Sequence, residues 1–482
     1  MSVEGTMAAV GVQEVTLFLI VAILTGVLTK YFIRIQYIAA LVIVGAILGL
    51  TPIFGGIEVR ADIIYYVFLP LILFEGGLAI HIRHFRETVD VMLILAFPGL
   101  IVAMILVGYC VHILFDLPLL IGMLLGAIVM PTDPVSVIAT FKKLGAPPRL
   151  TTIIEGESVL NDGAGIVAFG VVMGLIAAGE VNIPHAAIDF VRVSAGGAIV
   201  GILMGYVGTR ILQYVDDHIF EVTITIIIAF ATFLLAEHFH VSGIIAVVFA
   251  GLIVGNYGER YMAPPTRLTV SNFWEVVVFI VNAFIFLLIG IELTVGSFLE
   301  VGILNLVAFI FLVLAARGLI VYCTGIFYRL IKRPIPMSWQ HVLVWGGLHA
   351  TVPLALVLSV PKDMPERELL LTLTLAVVFF SLLVQGMSMD KFARKLGLIG
   401  LTEERREYER RLGLLLGLKG AMREVKDLMK SGAVHRSLAE KIIREYKNFE
   451  KELNENLRCV LEEHCELGEE EERMVRRASL ES

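Results

Sequence analysis

Pro131-Thr132-Asp133-Pro134 and Glu157-Ser158-Val159-Leu160-Asn161-Asp162-Gly163 each place carboxylates inside stretches otherwise apolar enough to cross a bilayer. A charge at that depth costs at least ~2.5–3.5 kcal/mol on insertion scales, so Asp133, Glu157 and Asp162 point to a functional site whose partners must be named. The chemistry open to them is cation and proton binding. Ser158 and Asp162 are spaced i, i+4 on one helix face, and Glu157 and Asn161 share the adjacent face. Neither proline of the first run donates a backbone N–H, and each disfavours helical geometry in the residue before it, Met130 and Asp133. The helix is expected to break there and leave freed carbonyls beside a carboxylate. Gly163 and Gly165 are small enough to let that broken backbone approach. Asp133, Asp162, the Ser158 hydroxyl and the Thr132 carbonyl can then converge on one point, where a hard monovalent cation such as Na⁺ exchanges water for protein oxygens. Both carboxylates also bind protons, and two like charges in a partly desolvated site favour keeping a proton on one of them. Cation and proton then compete for the same oxygens, and that competition is itself an exchange mechanism. Asp133 has an alternative use as the cap of a broken helix.

Arg317, in Ala315-Ala316-Arg317-Gly318, is the basic residue deepest within a span, and a carboxylate must neutralise it. Glu157 is assigned that task, which leaves Asp162 free to titrate. A lone intramembrane His, His349, is either a hydrogen-bonded helix contact or a pH-sensitive group. Asn282 is expected to bond between helices, and Glu221 and Glu237 to sit at the interfaces. Glu292, at the outer end of its span, is a candidate gate.

These residues need a membrane scaffold to position them. Of 482 residues, 57% are hydrophobic and only 17% charged, against about 25% charged in a soluble domain. Residues 15 to 389 form successive apolar stretches of bilayer-spanning length. Thirteen spans are predicted: 14–32, 36–53, 61–80, 89–115, 118–141, 150–178, 185–214, 218–238, 241–256, 270–291, 301–329, 338–359 and 367–389. No basic cluster precedes the first, so it is expected to remain as a transmembrane helix. Lys142, Lys143, Arg329, Lys332 and Arg333 are among many basic residues in odd-numbered connections, whereas even ones hold only Arg60, Lys362 and Arg367. The positive-inside rule then puts the N-terminus outside and the C-terminal tail in the cytoplasm.

Span five is interrupted at Thr132-Asp133-Pro134, and span twelve, seven spans later, at Thr351-Val352-Pro353. An odd offset reverses direction through the membrane. The expected fold class is therefore an all-α polytopic membrane protein with two inverted six-helix repeats whose broken helices cross near the midplane, the usual position of a transporter's substrate site.

Pro-Thr-Asp-Pro-Val-Ser-Val at 131–137, Glu-Gly-Glu-Ser-Val-Leu-Asn-Asp-Gly at 155–163 and Trp-Gly-Gly-Leu at 345–348 resemble the cation/proton antiporters of the Na⁺/H⁺ exchanger superfamily. The likeness is to the prokaryotic NhaP-like branch with Asn-Asp in span six, and it covers residues 14–390. It implies a homodimer in the plasma membrane, alternating access of a six-helix bundle against a dimerisation domain, and electroneutral exchange of one Na⁺, or Li⁺, for one proton. It assigns Asp162 as the ion- and proton-binding carboxylate, Asp133, Ser158 and Thr132 as further ligands, Asn161 as their neighbour and Glu157 as the partner of Arg317. The Phe-Leu-Pro-Leu-Ile-Leu-Phe-Glu-Gly-Gly run at 68–77 matches the same family and puts Glu75 near the site. Many relatives carry Arg-Gly where this chain has His349-Ala350, which leaves the local electrostatics and pH optimum open.

Residues 1–400 form the expected transmembrane domain. From 401 to 482 the composition turns to Lys, Arg and Glu with periodic Leu, Ile, Val and Met, which predicts a helical cytoplasmic tail of regulatory character, with a helix stop at Ser431-Gly432. Cys459, His464 and Cys465 match no common zinc spacing. The chain carries no nucleotide-binding or nucleophile motif, so ion gradients rather than an enzyme reaction or a cofactor supply the driving force, and the partners are the bilayer, the transported ions and no nucleic acid. K⁺/H⁺ exchange remains as an alternative; a passive cation channel is disfavoured because the chain offers one asymmetric cluster rather than repeated filter elements, and an anion symporter is disfavoured by the acidic site.

Overall fold

The computed structural model describes residues 3–33, 37–51, 61–80, 82–133, 137–138, 141, 146–179, 182–215, 217–258, 261–262, 264–292, 298, 300–398, 403–430 and 435–463. The chain forms two compact units, Met1–Leu398 and Ile399–Ser482. Every regular element among the described residues is helical. In the first unit they are α1 (Val3–Leu28), α2 (Tyr37–Gly49), α3 (Leu69–Ala79), α4 (Ile82–Ile94), α5 (Leu100–Phe115), α6 (Leu119–Val129), α7 (Pro148–Ala178), α8 (Ile183–Leu212), α9 (His218–His238), α10 (Gly243–Ile253), α11 (Pro264–Glu292), α12 (Ile303–Leu330), α13 (Met337–Trp345), α14 (Thr351–Leu358), α15 (Arg367–Phe380) and α16 (Met387–Lys395). Among the described residues seven helical stretches, including α7, α9 and α12, are long and apolar enough to cross a membrane, and there are shorter apolar helices such as α2 and α6.

Local chemistry sets the ends of these helices. α7 starts on Pro148, where the missing N–H is one of the orphans of a first turn, and stops at Gly179, whose φ of 69° suits glycine. Asp217 caps α9 by accepting from the N–H groups of Ile219 and Phe220, and Ser242 caps α10 by accepting from Ile245 N–H. Small residues let the helices touch along their backbones. A Cβ on Gly45 of α2 would run into the Leu287 carbonyl of α11, and one on Gly251 of α10 into the Phe74 carbonyl of α3. One apolar core gathers α5, α6, α7 and α10 around residues such as Val107, Leu124, Ala164 and Val247. A second joins α1, α2 and α11 to α14 and α15 through Phe18, Leu41, Phe286, Leu354 and Val378.

Two interruptions position the chemistry. α6 ends at Val129, and residues 130–133 follow as irregular chain, because Pro131 cannot donate the next helical hydrogen bond. The second interruption corrects the expectation for span twelve. α13 ends at Trp345, residues 346–350 are irregular, and Thr351 opens α14. Pro353 lies inside the first turn of α14, where its missing N–H is tolerated, so Gly346 and Gly347 rather than the proline make the break. A π turn over Ser381–Gly386 joins α15 to α16.

The second unit contains α17 (Glu403–Lys430) and α18 (Arg436–Glu463). Leu415, Met422, Ala439 and Leu453 are buried, and Lys419 and Glu450 approach to 3.9 Å. Residues 431–434, His464, Cys465, the acidic run at 469–472 and the side chains of Cys459 and Glu292 lie outside the described residues.

Candidate ion-binding site

The two interrupted helices meet. Asp133 N–H donates to the Leu348 carbonyl at 2.7 Å, and Thr351 Oγ1 donates to Asp133 Oδ2 at 3.0 Å. One backbone N–H freed by the first break is therefore satisfied by a carbonyl of the second, where little water is available to take its place. Pro131 lies against Gly165 of α7, which brings the α6 break onto the α7 face that carries Ser158 and Asp162.

On that face Ser158 Oγ donates to the Thr132 carbonyl at 2.6 Å. A hydroxyl has one hydrogen, so this bond leaves the Ser158 oxygen with lone pairs only. Asp162 is 7% exposed, and its Oδ1 has no hydrogen-bond partner among the described residues. Asp133, Ser158 and Asp162 line one cavity of about 690 Å³, and Glu75 of α3 and Thr351 of α14 line it as well. These oxygen-bearing side chains thus face a space large enough for a partly hydrated ion.

Glu157 is turned away from that cavity and is committed elsewhere. Arg317 Nη1 and Nη2 donate to its two oxygens at 2.7 and 2.8 Å, and Arg317 also reaches the Leu343 carbonyl, at 3.3 Å from Nη2. Side-chain exposures of 9% for Arg317 and 2% for Glu157 put this fork in a low-dielectric setting. Asn161 Nδ2 donates to Glu157 Oε1 at 3.1 Å and lies 3.4 Å from Thr132 Oγ1 and from the Met130 carbonyl. The amide thus bridges the ion pair to the α6 break. Thr132 and Asn161 stand behind Ser158 and Asp162 and do not line the cavity.

Residues 17–395 match the family of transmembrane sodium/hydrogen exchangers. The chain belongs to that family. It is 35% identical to the Na⁺/H⁺ antiporter NhaG of Bacillus atrophaeus over 93% of this chain and 87% of that one. It is 36% identical to the antiporter ApNhaP of Aphanothece halophytica over 85% of this chain and 80% of that one. Its fold is similar to that of the sodium proton antiporter MjNhaP1 of Methanocaldococcus jannaschii, with a TM-score of 0.68 at 23% identity, covering 81% of this chain and 99% of that one.

Other polar groups of the exchanger fall in different places. His349 is 2% exposed and does not line the cavity; its Nδ1 is 3.3 Å from Ser381 Oγ and its Nε2 has no hydrogen-bond partner among the described residues. Asn282 was expected to bond across helices, yet its Oδ1 also lacks a partner among the described residues. Glu221, expected at an interface, is 1% exposed in the first turn of α9, where the positive end of the helix dipole favours a carboxylate. Sequence reasoning missed Glu155 and Glu275, which line the cavity, and the polar residues of the last span. Ser381, Gln385 and Ser388 recur at spacings of four and three in an apolar helix, a pattern the sequence shows without showing their partners.

Gly165 gives the exchanger a direct test of the packing that seats the α6 break. A Cβ there would collide with the Pro131 ring, which has no rotamer to yield. Gly165→Ala is expected to destabilise by about 1–3 kcal/mol, as overpacked cores do. The control is Gly170→Ala, where no atom lies within 4 Å. Unfolding of both purified variants in detergent should separate them; equal stability would show that the contact is not restrictive.

Proposed function

We propose that this chain is a secondary-active antiporter that exchanges cytoplasmic Na⁺, or Li⁺, for external H⁺ at Asp162. One observation carries this reading: a buried carboxylate with an unpartnered oxygen faces a cavity beside a second carboxylate, while the deep Arg317 is already neutralised by Glu157. Asp162, Asp133 and Ser158 hold the cation. Thr132 acts through its carbonyl, which takes the Ser158 hydrogen and so turns that hydroxyl into an acceptor. Glu75 stands in the cavity wall within reach of a bridging water.

Because Asp162 binds either Na⁺ or a proton, each ligand displaces the other, and carrying the two in opposite directions needs only a carrier that changes access when loaded. The thirteen predicted crossings, in two inverted repeats with the Asp133 and Leu348 segments at their intersection, supply such a carrier. Asn161 stands where a second carboxylate would add a proton, which supports one-for-one, electroneutral exchange. The basic residues of the odd connections support a cytoplasmic tail and an external N-terminus, and the family supports a homodimer in a plasma membrane.

The test is ΔpH relaxation in proteoliposomes with an internal pH dye and additions of Na⁺, Li⁺ and K⁺. Na⁺ and Li⁺ are expected to drive proton movement without generating a membrane potential. Competition sets the sign of the pH dependence: the apparent KM for Na⁺ should rise as pH falls, by up to about tenfold per unit where the proton occupies the site. A KM independent of pH would remove the shared-site mechanism, and cation flux without proton movement would favour a channel.

A further inference from the structure

The broken segment at 346–350 is held by the last span as well as by Asp133. Where α13 stops, the carbonyls of its final turn lose their helical partners, and at membrane depth each needs a substitute. Val342 still has its helical partner, Gly346 N–H at 2.7 Å, whereas Leu343 accepts from Arg317 instead. Gly346 accepts from Leu348 N–H at 2.9 Å, and Leu348 accepts from Asp133 N–H at 2.7 Å. The carbonyl of Trp345, at the point of the break, accepts from Gln385 Nε2 at 3.0 Å.

Gln385 lies in the π turn over Ser381–Gly386, and both Gln385 and Ser381 have no solvent exposure. Ser381 Oγ donates to Gln385 Oε1 at 2.8 Å, which fixes the amide with its NH₂ toward Trp345. The indole of Trp345 donates to Ser388 Oγ at 2.9 Å, and Ser388 Oγ in turn donates to the Gln385 carbonyl at 3.1 Å. The π turn, through Gln385, and the first turn of α16, through Ser388, thus grip one residue by its backbone and its side chain. An extra residue inserted in a helix is a recurrent way to aim a side chain at a functional site.

We infer that Gln385, oriented by Ser381, is a positioning residue of the exchange reaction: it fixes the break after Trp345 and, through the Leu348 carbonyl, the backbone of Asp133. Gln385 touches neither ion. Its hydrogen bond sets where the break leaves α13 at Trp345, and six residues later the chain delivers Thr351 to Asp133 Oδ2. The last span therefore contributes to cation affinity without lining the cavity. This inference rests on the exchange proposed at Asp162 and Asp133.

Gln385→Met keeps the length and apolar packing of the side chain and removes its donor. Its apparent KM for Na⁺ is expected to rise about tenfold, the scale of one lost buried hydrogen bond, with the maximal rate within about twofold of wild type and an altered ratio of the Li⁺ and Na⁺ KM values. Ser381→Ala releases the amide and is expected to raise KM about threefold in the same direction, a part of that bond's worth. Ser381→Thr keeps the hydroxyl and should restore it. The serine pair carries the test if Gln385→Met does not fold. Unchanged KM values and Li⁺/Na⁺ ratio beside lowered thermal stability would overturn the inference in favour of a purely structural role, as would a Ser381→Thr variant that behaves like Ser381→Ala. A wild type without cation-dependent proton movement overturns the exchange reading itself before any variant is compared.

Discussion

Asp162→Asn is expected to reduce cation-driven proton movement to the rate of protein-free vesicles with every cation tested. Asparagine matches the volume of aspartate and can occupy the same buried position, so packing on α7 is preserved. What it loses is the ability to carry a negative charge or to gain and lose a proton. The amide would also place donors where the cavity presents oxygens to an ion. Asp133 remains in the variant, but it is engaged by Thr351 and by the backbone of the α14 break. It is therefore expected to shape the site without substituting for Asp162. Asp133→Asn should accordingly retain slow exchange with a raised KM. The measurement is ΔpH relaxation in proteoliposomes, with binding heats of Na⁺ in detergent as a transport-independent check. Residual exchange in Asp162→Asn that still saturates with Na⁺ would move the binding carboxylate to Asp133 or to Glu75.

Glu157→Gln produces the second large effect, this time on stability. Arg317 is almost completely buried, and its bidentate partner is the compensation for its charge. Removing one member of such a pair leaves an unpaired charge and typically costs about 3–5 kcal/mol, whereas replacing both by apolar groups of similar size is often neutral. Glu157→Gln should therefore unfold at markedly lower temperature in detergent, and Glu157→Leu combined with Arg317→Leu should recover most of the loss. The two variants differ in transport as well. With Glu157 neutral, the Arg317 charge acts on the nearby site and weakens cation binding, so a raised KM for Na⁺ accompanies the instability. The double variant removes that charge and should bring KM back toward wild type even where its maximal rate stays low. A Glu157→Gln protein as stable as wild type would mean that the ion pair is not the element tying α7 to α12.

The sequence was most informative where a residue violated its surroundings. Asp133, Glu157, Asp162 and Arg317 were legible because a charged residue in an apolar span has few inexpensive explanations. The break after Val129 was legible because proline removes a donor at a known position. The break near Trp345 was misplaced because Pro353 gave a stronger local signal than Gly346 and Gly347. A proline in a first turn and a proline that ends a helix look alike until the helix start is known. The polar triad Ser381, Gln385 and Ser388 went unread for a related reason. Uncharged polar residues are tolerated in transmembrane helices, and only their partners distinguish a functional contact from an incidental one.

The sequence by itself determined the membrane class, the carboxylates available for ion and proton binding, and the need for a partner to Arg317. Hydrophobic length and buried charge are properties of single residues and short windows, with energies large enough to exclude alternatives. The tertiary structure decided which oxygens share a cavity, that Ser158 gives its hydrogen to Thr132 and lines the cavity with lone pairs only, and that the Asp133 backbone is held by the irregular segment between α13 and α14, more than two hundred residues away. Those outcomes depend on how two interrupted helices meet, with the Asp133 N–H of one paired to the Leu348 carbonyl of the other. No local pattern specifies that pairing, because each break presents the same kinds of donor and acceptor and only packing selects which of them meet.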